Sequence, residues 1–303
     1  MIRDFAIIGA TASGKSGLAI ELAEKFNSNI LSIDSLSIYR EFDIVSAKPT
    51  SDELKRVLHF GVNEVNPDEK SSVQNFIEIY RNAKKISNES GKSLIIVGGS
   101  SFYLKSLLVG LSELPKIDET INLEVSKKLE NIERAYLTLK EIDPEYCNGI
   151  EMNDRYRIGR GWEIYLSTEE KPSIYFEKNP PKPIISQDTP IYNIDIDRTI
   201  LRSKIRQRTE NMIKDGLIDE VERVISKYGR NIQPAKAIGV KETLEFLDGD
   251  IEDLERLTYL ISTHTGQLAK RQQTFNRTQF KNFNALSEPI EKLKESIERD
   301  IFC

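Results

Sequence analysis

The stretch FAIIGATASGKS, residues 5 to 16, consists of a short apolar run followed by a loop with glycines at positions 9 and 14. The loop matches the pattern G-x-x-x-x-G-K-[ST] at every fixed position. It lies after a predicted strand and before a predicted helix, where such a loop wraps its N–H groups around an anion. We call residues 9–16 the phosphate loop; its members are Gly9, Ala10, Thr11, Ala12, Ser13, Gly14, Lys15 and Ser16.

The last two residues of the loop carry specific chemistry. We expect Lys15 to neutralise a terminal phosphate and the Ser16 hydroxyl to bind Mg²⁺. A nucleoside-triphosphate hydrolase usually adds an apolar strand that ends in an Asp linked to Mg²⁺. Here the apolar run Leu94–Val97 ends in Gly98-Gly99-Ser100 instead. The loop therefore predicts phosphate binding without identifying which phosphate.

Strand and helix signals alternate in the first third of the chain. Strands are predicted at Phe5–Gly9, Asn29–Asp34 and Leu94–Gly98, with a helix from Lys15 to about Phe26 and another that starts at Val73, after Ser71-Ser72. This alternation predicts βαβ crossovers and a parallel sheet, so the fold class is α/β.

The pattern changes beyond about Pro115. Residues 118–189 carry helical signals, including a predicted N-cap at Asn153-Asp154, and end in a proline-rich loop. We predict a helical insertion over 118–189 within a core made of 1–117 and 190–303. In that core a strand is expected at 191–196 and long helices at about 198–228 and 251–272.

Asp34 closes one predicted strand and Ser100 follows another, and the carboxyl ends of parallel strands line the ligand crevice. We therefore expect both to lie near the phosphate loop. Two interpretations of Asp34 remain open: a turn or cap at the end of a strand, and a metal-linked acid or general base.

Arg208 falls on the apolar stripe of its predicted helix, between Ile205 and Met212. An arginine directed inward needs an anion. Two interpretations remain open: the side chain reaches solvent or pairs with a buried carboxylate, or it is a second contact to the phosphate held by Lys15, for which a bidentate guanidinium is well suited.

Net charge argues against a nucleic-acid partner, but its distribution does not. The chain has 43 Lys+Arg and 48 Asp+Glu, a net charge of −5. Residues 198–241 alone carry eleven basic and five acidic residues, a balance of +6. Arginines also lie close to Trp162 and to Phe275, a mixture that suits phosphates and unstacked bases. Solvated helix faces and an RNA surface both remain open.

The composition argues against several classes of protein. Only Cys147, Cys303, His59 and His264 could supply thiols or imidazoles, so neither a disulfide framework nor a zinc ribbon is indicated. No apolar run approaches the roughly 20 residues of a membrane span, and no signal-peptide pattern begins the chain. We expect a cytoplasmic location and no membrane partner.

Together these residues resemble the tRNA dimethylallyltransferase (tRNA isopentenyltransferase) family. The blocks that carry the resemblance are the phosphate loop, Asp34–Arg40, Asp43–Pro49, Gly98–Tyr103, Asn153-Asp154 with Arg157 and Arg160, Ala237–Glu242, and Ala269–Gln272. The second and third blocks are far more specific than the phosphate loop.

The resemblance implies a P-loop, nucleotide-kinase-like parallel sheet core with a helical insertion that binds the anticodon arm. It implies transfer of a dimethylallyl group from its diphosphate to N6 of the adenosine 3′ to the anticodon. Asp34 matches the family's general base, and Lys15, Ser16 and Arg208 match its diphosphate and Mg²⁺ contacts. Ser100 stands where Thr is usual, near the leaving group.

The resemblance also implies tRNA contacts, and departures from the family pattern affect some of them. Ser37 replaces a common Gln, and Asn122 stands where a basic residue is frequent. The implied contacts are Asp34, Ser35, Leu36 and Ser37; Tyr156, Arg157, Ile158, Gly159 and Arg160; and Lys236, Ala237, Ile238, Gly239, Val240 and Lys241.

Two other functions remain open. One is an ATP-dependent small-molecule kinase in which Asp34 acts as base on a hydroxyl; the other is a non-enzymatic RNA-binding protein controlled by nucleotide. We expect a monomer with tRNA and dimethylallyl diphosphate as partners and Mg²⁺ as cofactor.

Overall fold

The computed structural model describes residues 4–302, with side chains described for residues 4–300. The predictions that rest on Met1 and Cys303 fall outside these residues. The chain divides into two compact units. The first comprises the described residues up to Leu108 and from Ile185 onward, and the second is Val109–Ile184. The boundaries predicted for the insertion were 118 and 189.

A six-stranded parallel sheet forms the centre of the first unit, in the order β3-β2-β4-β1-β5-β6. The strands are β1 (Phe5–Gly9), β2 (Asn29–Ser32), β3 (His59–Phe60), β4 (Leu94–Gly98), β5 (Ile191–Ile194) and β6 (Ala285–Glu288).

Fourteen helices of α type occur in the described residues. In chain order they are α1 (Lys15–Lys25), α2 (Ser51–Arg56), α3 (Val73–Glu89), α4 (Ser101–Val109), α5 (Glu119–Lys128), α6 (Ile132–Ile142), α7 (Pro144–Cys147), α8 (Arg155–Thr168), α9 (Pro172–Lys178), α10 (Arg198–Lys214), α11 (Leu217–Tyr228), α12 (Val240–Leu247), α13 (Leu254–Gln279) and α14 (Ile290–Phe302). None of the helices within residues 4–302 combines the length and apolar character needed to cross a bilayer.

The central strands form where continuous apolar runs predicted them. Every residue of β1 and β4 is buried, as expected for a parallel sheet with both faces covered. In the observed register, Ile7 pairs with Val97 on one side and Tyr192 on the other. The prediction of a parallel α/β core is confirmed.

Two strands were not predicted. β3 has only two residues, and β6 is mostly exposed, so neither presents a buried apolar run. β6 joins the sheet through its register with β5, for example Tyr192 opposite Leu286. The predicted strands at 29–34 and 191–196 both end two residues earlier than expected.

The single helix predicted over 198–228 is wrong: the segment forms α10 and α11. The chain turns at Gly216, which has a φ of +98°. A residue with a side chain rarely adopts this left-handed conformation, so the glycine ends one helix and allows the next to begin. The last long helix, α13, is longer than the predicted 251–272.

The second unit is helical and has a core of its own. Leu129, Tyr136, Leu139, Ile158 and Trp162 are among its buried members. As predicted, the chain is capped at the start of α8, where Oδ1 of Asp154 accepts a hydrogen bond from Arg157 N at 3.0 Å.

Candidate active site

The phosphate loop forms the expected turn between β1 and α1. A Cβ atom on Gly9 would lie 2.9 Å from Ser13 Oγ, so a larger residue would not fit there. Gly14 has a φ of +95°, and Ala12 has a φ of +61°, an unusual value for a residue with a side chain. Such strain is frequent in loops that bind ligands.

Lys15 is buried at the first position of α1. Its Nζ donates a hydrogen bond to Ala10 O at 2.9 Å, and only 8% of the residue is exposed. Burial lowers the pKa of Lys15 to about 8; nearby Asp34 opposes that shift, while Arg208 adds to it. The three side chains therefore share one electrostatic environment. The neighbouring Ser16 is exposed.

Asp34 lies just beyond β2, and one of its oxygens organises the following turn. Oδ1 accepts hydrogen bonds from Leu36 N at 2.8 Å and Ser37 N at 3.1 Å. The interpretation of Asp34 as a turn-stabilising residue is therefore confirmed. It does not compete with the second interpretation, because the charge of the same carboxylate also acts on Lys15 and Arg208.

Ser100 follows β4 and contacts the Asp34 turn. Its Oγ accepts a hydrogen bond from Ser35 N at 3.3 Å, and its own N–H donates to Ile33 O at 3.1 Å. Gly98 makes this approach possible, because a Cβ there would lie 2.7 Å from the Ile33 carbonyl oxygen. The ends of β2 and β4 thus hold Asp34 and Ser100 together.

Arg208 reaches the phosphate loop from α10. Its Nη1 lies 3.4 Å from Thr11 Oγ1. Burial lowers the pKa of Arg208, and the charge of Asp34 partly opposes this. No carboxylate of residues 4–300 lies within ion-pair distance of its guanidinium. The inward direction predicted for Arg208 is confirmed, and its proposed pairing with a buried carboxylate is not found among these residues.

Gln272, on α13, was not identified from the sequence. Its Oε1 accepts a hydrogen bond from Thr11 N at 2.8 Å, and its Nε2 donates to Gly99 O at 3.0 Å. A glutamine in the run Lys270-Arg271-Gln272-Gln273 has no spacing or pattern that indicates such a bridge. Only the position of α13 shows it.

A cavity of about 580 Å³ lies beside Arg208. One wall is the loop 43–49, and the other is α10. Its lining residues are Asp43, Ile44, Ala47, Lys48, Pro49, Thr50, Ser51, Leu54, Asn63, Lys204, Gln207, Arg208, Asn211, Met212 and Asp215. The lining mixes apolar, basic and acidic side chains.

Two side chains that the sequence interpretation missed fix the loop 43–49. The Glu220 carboxylate, on a residue that is only 2% exposed, accepts hydrogen bonds from the backbone N–H groups of Asp43, Ile44 and Val45 at 2.8, 2.8 and 3.0 Å. Lys48 Nζ donates to Tyr39 O at 2.6 Å and to Asp43 Oδ1 at 2.7 Å. The cavity wall is therefore anchored from inside the protein.

The residues expected to contact tRNA differ in exposure. Of the 34–37 group, Ser37 is buried and shares a hydrogen bond with Ser32. In the 236–241 group, Val240 is fully buried, whereas the Lys241 side chain is exposed and lies 3.5 Å from Glu245. The whole group precedes or begins α12, and Gly239 has a φ of +92°.

The 156–160 group belongs to the second unit and presents only part of itself to solvent. Tyr156 is 73% exposed, and the guanidinium of Arg160 lies 5.7 Å from its ring centroid. Arg157 pairs with Asp154. Ile158 and Gly159 are buried; a Cβ on Gly159 would lie 3.1 Å from Leu129. The glycines of α8 thus serve helix packing.

Residues 4–300 contain no group of three or more His, Cys, Asp or Glu side chains arranged to hold a metal ion. This is compatible with Mg²⁺, which often uses one or two protein ligands together with substrate phosphates and water. The exposed Ser16, which follows Lys15 in the phosphate loop, fits that kind of site.

Comparison with known proteins gives one family. Residues 37–279 match the family model described as IPP transferase. The chain is 50% identical over 298 residues to a tRNA dimethylallyltransferase of Nautilia profundicola, covering 98% of this chain and 99% of that protein. A protein of the same description from Helicobacter pylori is 40% identical, with 91% and 88% covered.

Solved structures agree with these relatives. The full-length tRNA isopentenylpyrophosphate transferase of Bacillus halodurans matches with a TM-score of 0.70 and 26% identity, covering all of this chain and 96% of that one. A eukaryotic dimethylallyltransferase acting on tRNA matches with a TM-score of 0.81 and 25% identity, covering 98% and 77%.

Proposed function

Because this chain belongs to the IPP transferase family, we propose that it transfers a dimethylallyl group from dimethylallyl diphosphate to N6 of the adenosine 3′ to the anticodon. The chain is a transferase that prenylates tRNA. We propose in addition the prenyl donor, the acceptor atom and the roles of the site residues.

One observation supports those roles: two buried or half-buried cations, Lys15 and Arg208, lie at the phosphate loop, and the charge of Asp34 opposes the lowering of both of their pKa values by burial. Two cations suit a diphosphate, whose negative charge grows as it leaves. A carboxylate suits an exocyclic adenine amine, a poor nucleophile that must lose a proton. Both requirements are met at the same loop.

The reaction follows from this arrangement. N6 of the adenine attacks C1 of the dimethylallyl group, the C1–O bond breaks, and its electron pair leaves with the diphosphate. Asp34 takes the N6 proton, while Lys15 and Arg208 stabilise the departing oxygens. In this proposal the Ser100 hydroxyl, which accepts a hydrogen bond from Ser35 N in the Asp34 turn, contacts the leaving group. Ser16 would hold Mg²⁺, which would add positive charge at the diphosphate.

The acceptor base must reach this loop from a folded anticodon arm. Extruding a stacked nucleotide costs a few kcal/mol, which contacts to the rest of the RNA must offset. We assign that role chiefly to the exposed Tyr156, Arg157 and Lys241 of the predicted set, together with the half-buried Arg160. An exposed aromatic ring beside arginines suits unstacked bases and phosphates.

We further propose that the chain acts as a cytoplasmic monomer. The small-molecule kinase finds no support among the relatives, which are tRNA dimethylallyltransferases. A non-enzymatic RNA-binding protein is likewise disfavoured, because the relatives named above are transferases.

A direct assay tests the proposal. The protein is incubated with Mg²⁺, dimethylallyl diphosphate and unmodified tRNA, and the tRNA is digested to nucleosides for mass spectrometry. We expect dimethylallyladenosine from the position 3′ to the anticodon, and none when the tRNA carries guanosine there. Formation of ADP from ATP and a nucleoside, without prenylated adenosine, would support the kinase instead.

A further inference from the structure

A single side-chain amide, that of Gln272, joins the phosphate loop to the turn that follows β4. Its oxygen accepts from Thr11 N at 2.8 Å and its nitrogen donates to Gly99 O at 3.0 Å. The two contacts use the oxygen and the nitrogen of one rigid planar amide. They therefore fix the distance between the two loops as well as their orientation.

Gly99 is shaped around this amide. A Cβ atom at position 99 would lie 2.5 Å from Gln272 Nε2, and the three nearest atoms it would meet all belong to Gln272. The absence of a side chain at Gly99 therefore makes room for the Gln272 amide. The close contact thus depends on the Gln272 amide and on the missing side chain at Gly99.

Both loops that Gln272 joins also contact residues to which we assign a role in the reaction. Gly99 precedes Ser100, whose hydroxyl accepts from Ser35 N in the Asp34 turn. On the other side, Thr11 is the loop residue that Arg208 approaches. Gln272 therefore lies between the phosphate loop with Arg208 on one side and Ser100 with the Asp34 turn on the other.

We propose that Gln272 is a positioning residue for prenyl transfer, which keeps the diphosphate-binding loop and the Ser100–Asp34 pair in register without touching either substrate. This inference rests on the proposed function. A misplacement of about 1 Å between reacting groups can cost on the order of 10²-fold in rate. The effect of losing the bridge should therefore appear in kcat more than in tRNA binding.

The first test replaces the amide by an isosteric thioether. Gln272→Met keeps the volume of the side chain and removes both hydrogen bonds, and Gln267→Met, on the exposed part of the same helix, is the matched control. We expect Gln272→Met to lower kcat about tenfold or more, with KM for tRNA within about twofold of the control. Equal kcat values for the two variants would overturn the proposal.

The second test uses Gly99→Ala, which displaces the amide from the other side. If both substitutions act through the same bridge, the double variant loses no more activity than the slower single variant. Losses that multiply would show independent effects and would overturn the proposal. Melting temperatures of the four proteins separate a positional effect from unfolding. Failure of the proposed function is distinguishable, because the natural chain itself would then give no prenylated tRNA.

Discussion

Arg208 Nη1 lies 3.4 Å from Thr11 Oγ1, although 197 residues separate the two in sequence. The contact brings a second cation to a loop that already holds Lys15. Since no carboxylate of residues 4–300 is within ion-pair distance of Arg208, its charge is directed to the loop and, by our proposal, to the diphosphate.

Replacing the Arg208 guanidinium should lower the catalytic efficiency with dimethylallyl diphosphate. Hydrogen bonds to charged groups contribute about 1.5–3 kcal/mol, so Arg208→Gln should lower kcat/KM for dimethylallyl diphosphate by about 10- to 150-fold. Steady-state kinetics at saturating tRNA measure the effect. The control is Arg206→Gln, an exposed arginine of the same helix that pairs with Glu210. Equal losses in both variants would contradict the assignment.

The two roles of Asp34 can be separated by Asp34→Asn. The amide oxygen of asparagine can still accept the hydrogen bonds from Leu36 N and Ser37 N, so the turn should persist. Loss of the base should lower kcat by about 10²- to 10⁴-fold. Asp253→Asn, which alters a capping aspartate at the start of α13, is the control for turn chemistry. A fully active Asp34→Asn protein would leave Asp34 only its structural role.

Donor affinity should fall as the pH rises through about 8. Burial lowers the pKa of Lys15 to about 8, so the free protein loses this positive charge above that pH. A bound diphosphate favours the charged ammonium and raises the pKa, so binding must take up a proton at alkaline pH. Calorimetric titration with dimethylallyl diphosphate from pH 7 to 9.5 measures the trend. In Lys15→Met the affinity should be weaker at pH 7 and should lack this decline.

Glu220→Gln should destabilise the first unit and loosen the cavity wall. The carboxylate now accepts hydrogen bonds from three backbone N–H groups. A glutamine replaces one of its two oxygens by an NH₂ group, which is a donor and cannot accept from a backbone N–H. Leaving such buried donors unpaired costs about 1–3 kcal/mol of the free energy of unfolding. Urea denaturation measures the loss, with the exposed Glu222→Gln of the same helix as control. Equal stabilities would mean that the three hydrogen bonds contribute little.

Lys241→Ala should reduce the salt dependence of tRNA binding. Each phosphate contact releases counterions, so losing one lowers the slope of log K against log salt concentration by about 0.7–1. Lys85→Ala is a close match, because both lysines are exposed and pair with a glutamate four residues on. Filter-binding titrations over a salt series compare them. If the slopes of the two variants agree, Lys241 belongs to the solvated surface.

Much of the fold could be predicted from short stretches of the sequence. β1 and β4 are continuous apolar runs, and Asp154 caps α8 where its spacing predicted. The exposed β6 and the two-residue β3 could not be predicted, because neither contains a buried apolar run. They form strands through backbone pairing with β5 and β2, respectively. The break at Gly216 was missed because the apolar periodicity on either side of it appears continuous.

The sequence by itself determined the phosphate loop, the parallel core and the family, since each depends on residue types at short, fixed spacings. Only the tertiary structure decided which distant residues complete the site. Gln272 meets Thr11 and Gly99, and Glu220 holds the loop 43–49, across separations of 173 to 261 residues. No periodicity encodes such contacts, because they depend on how α11 and α13 pack in space and not on the spacing of residues along the chain.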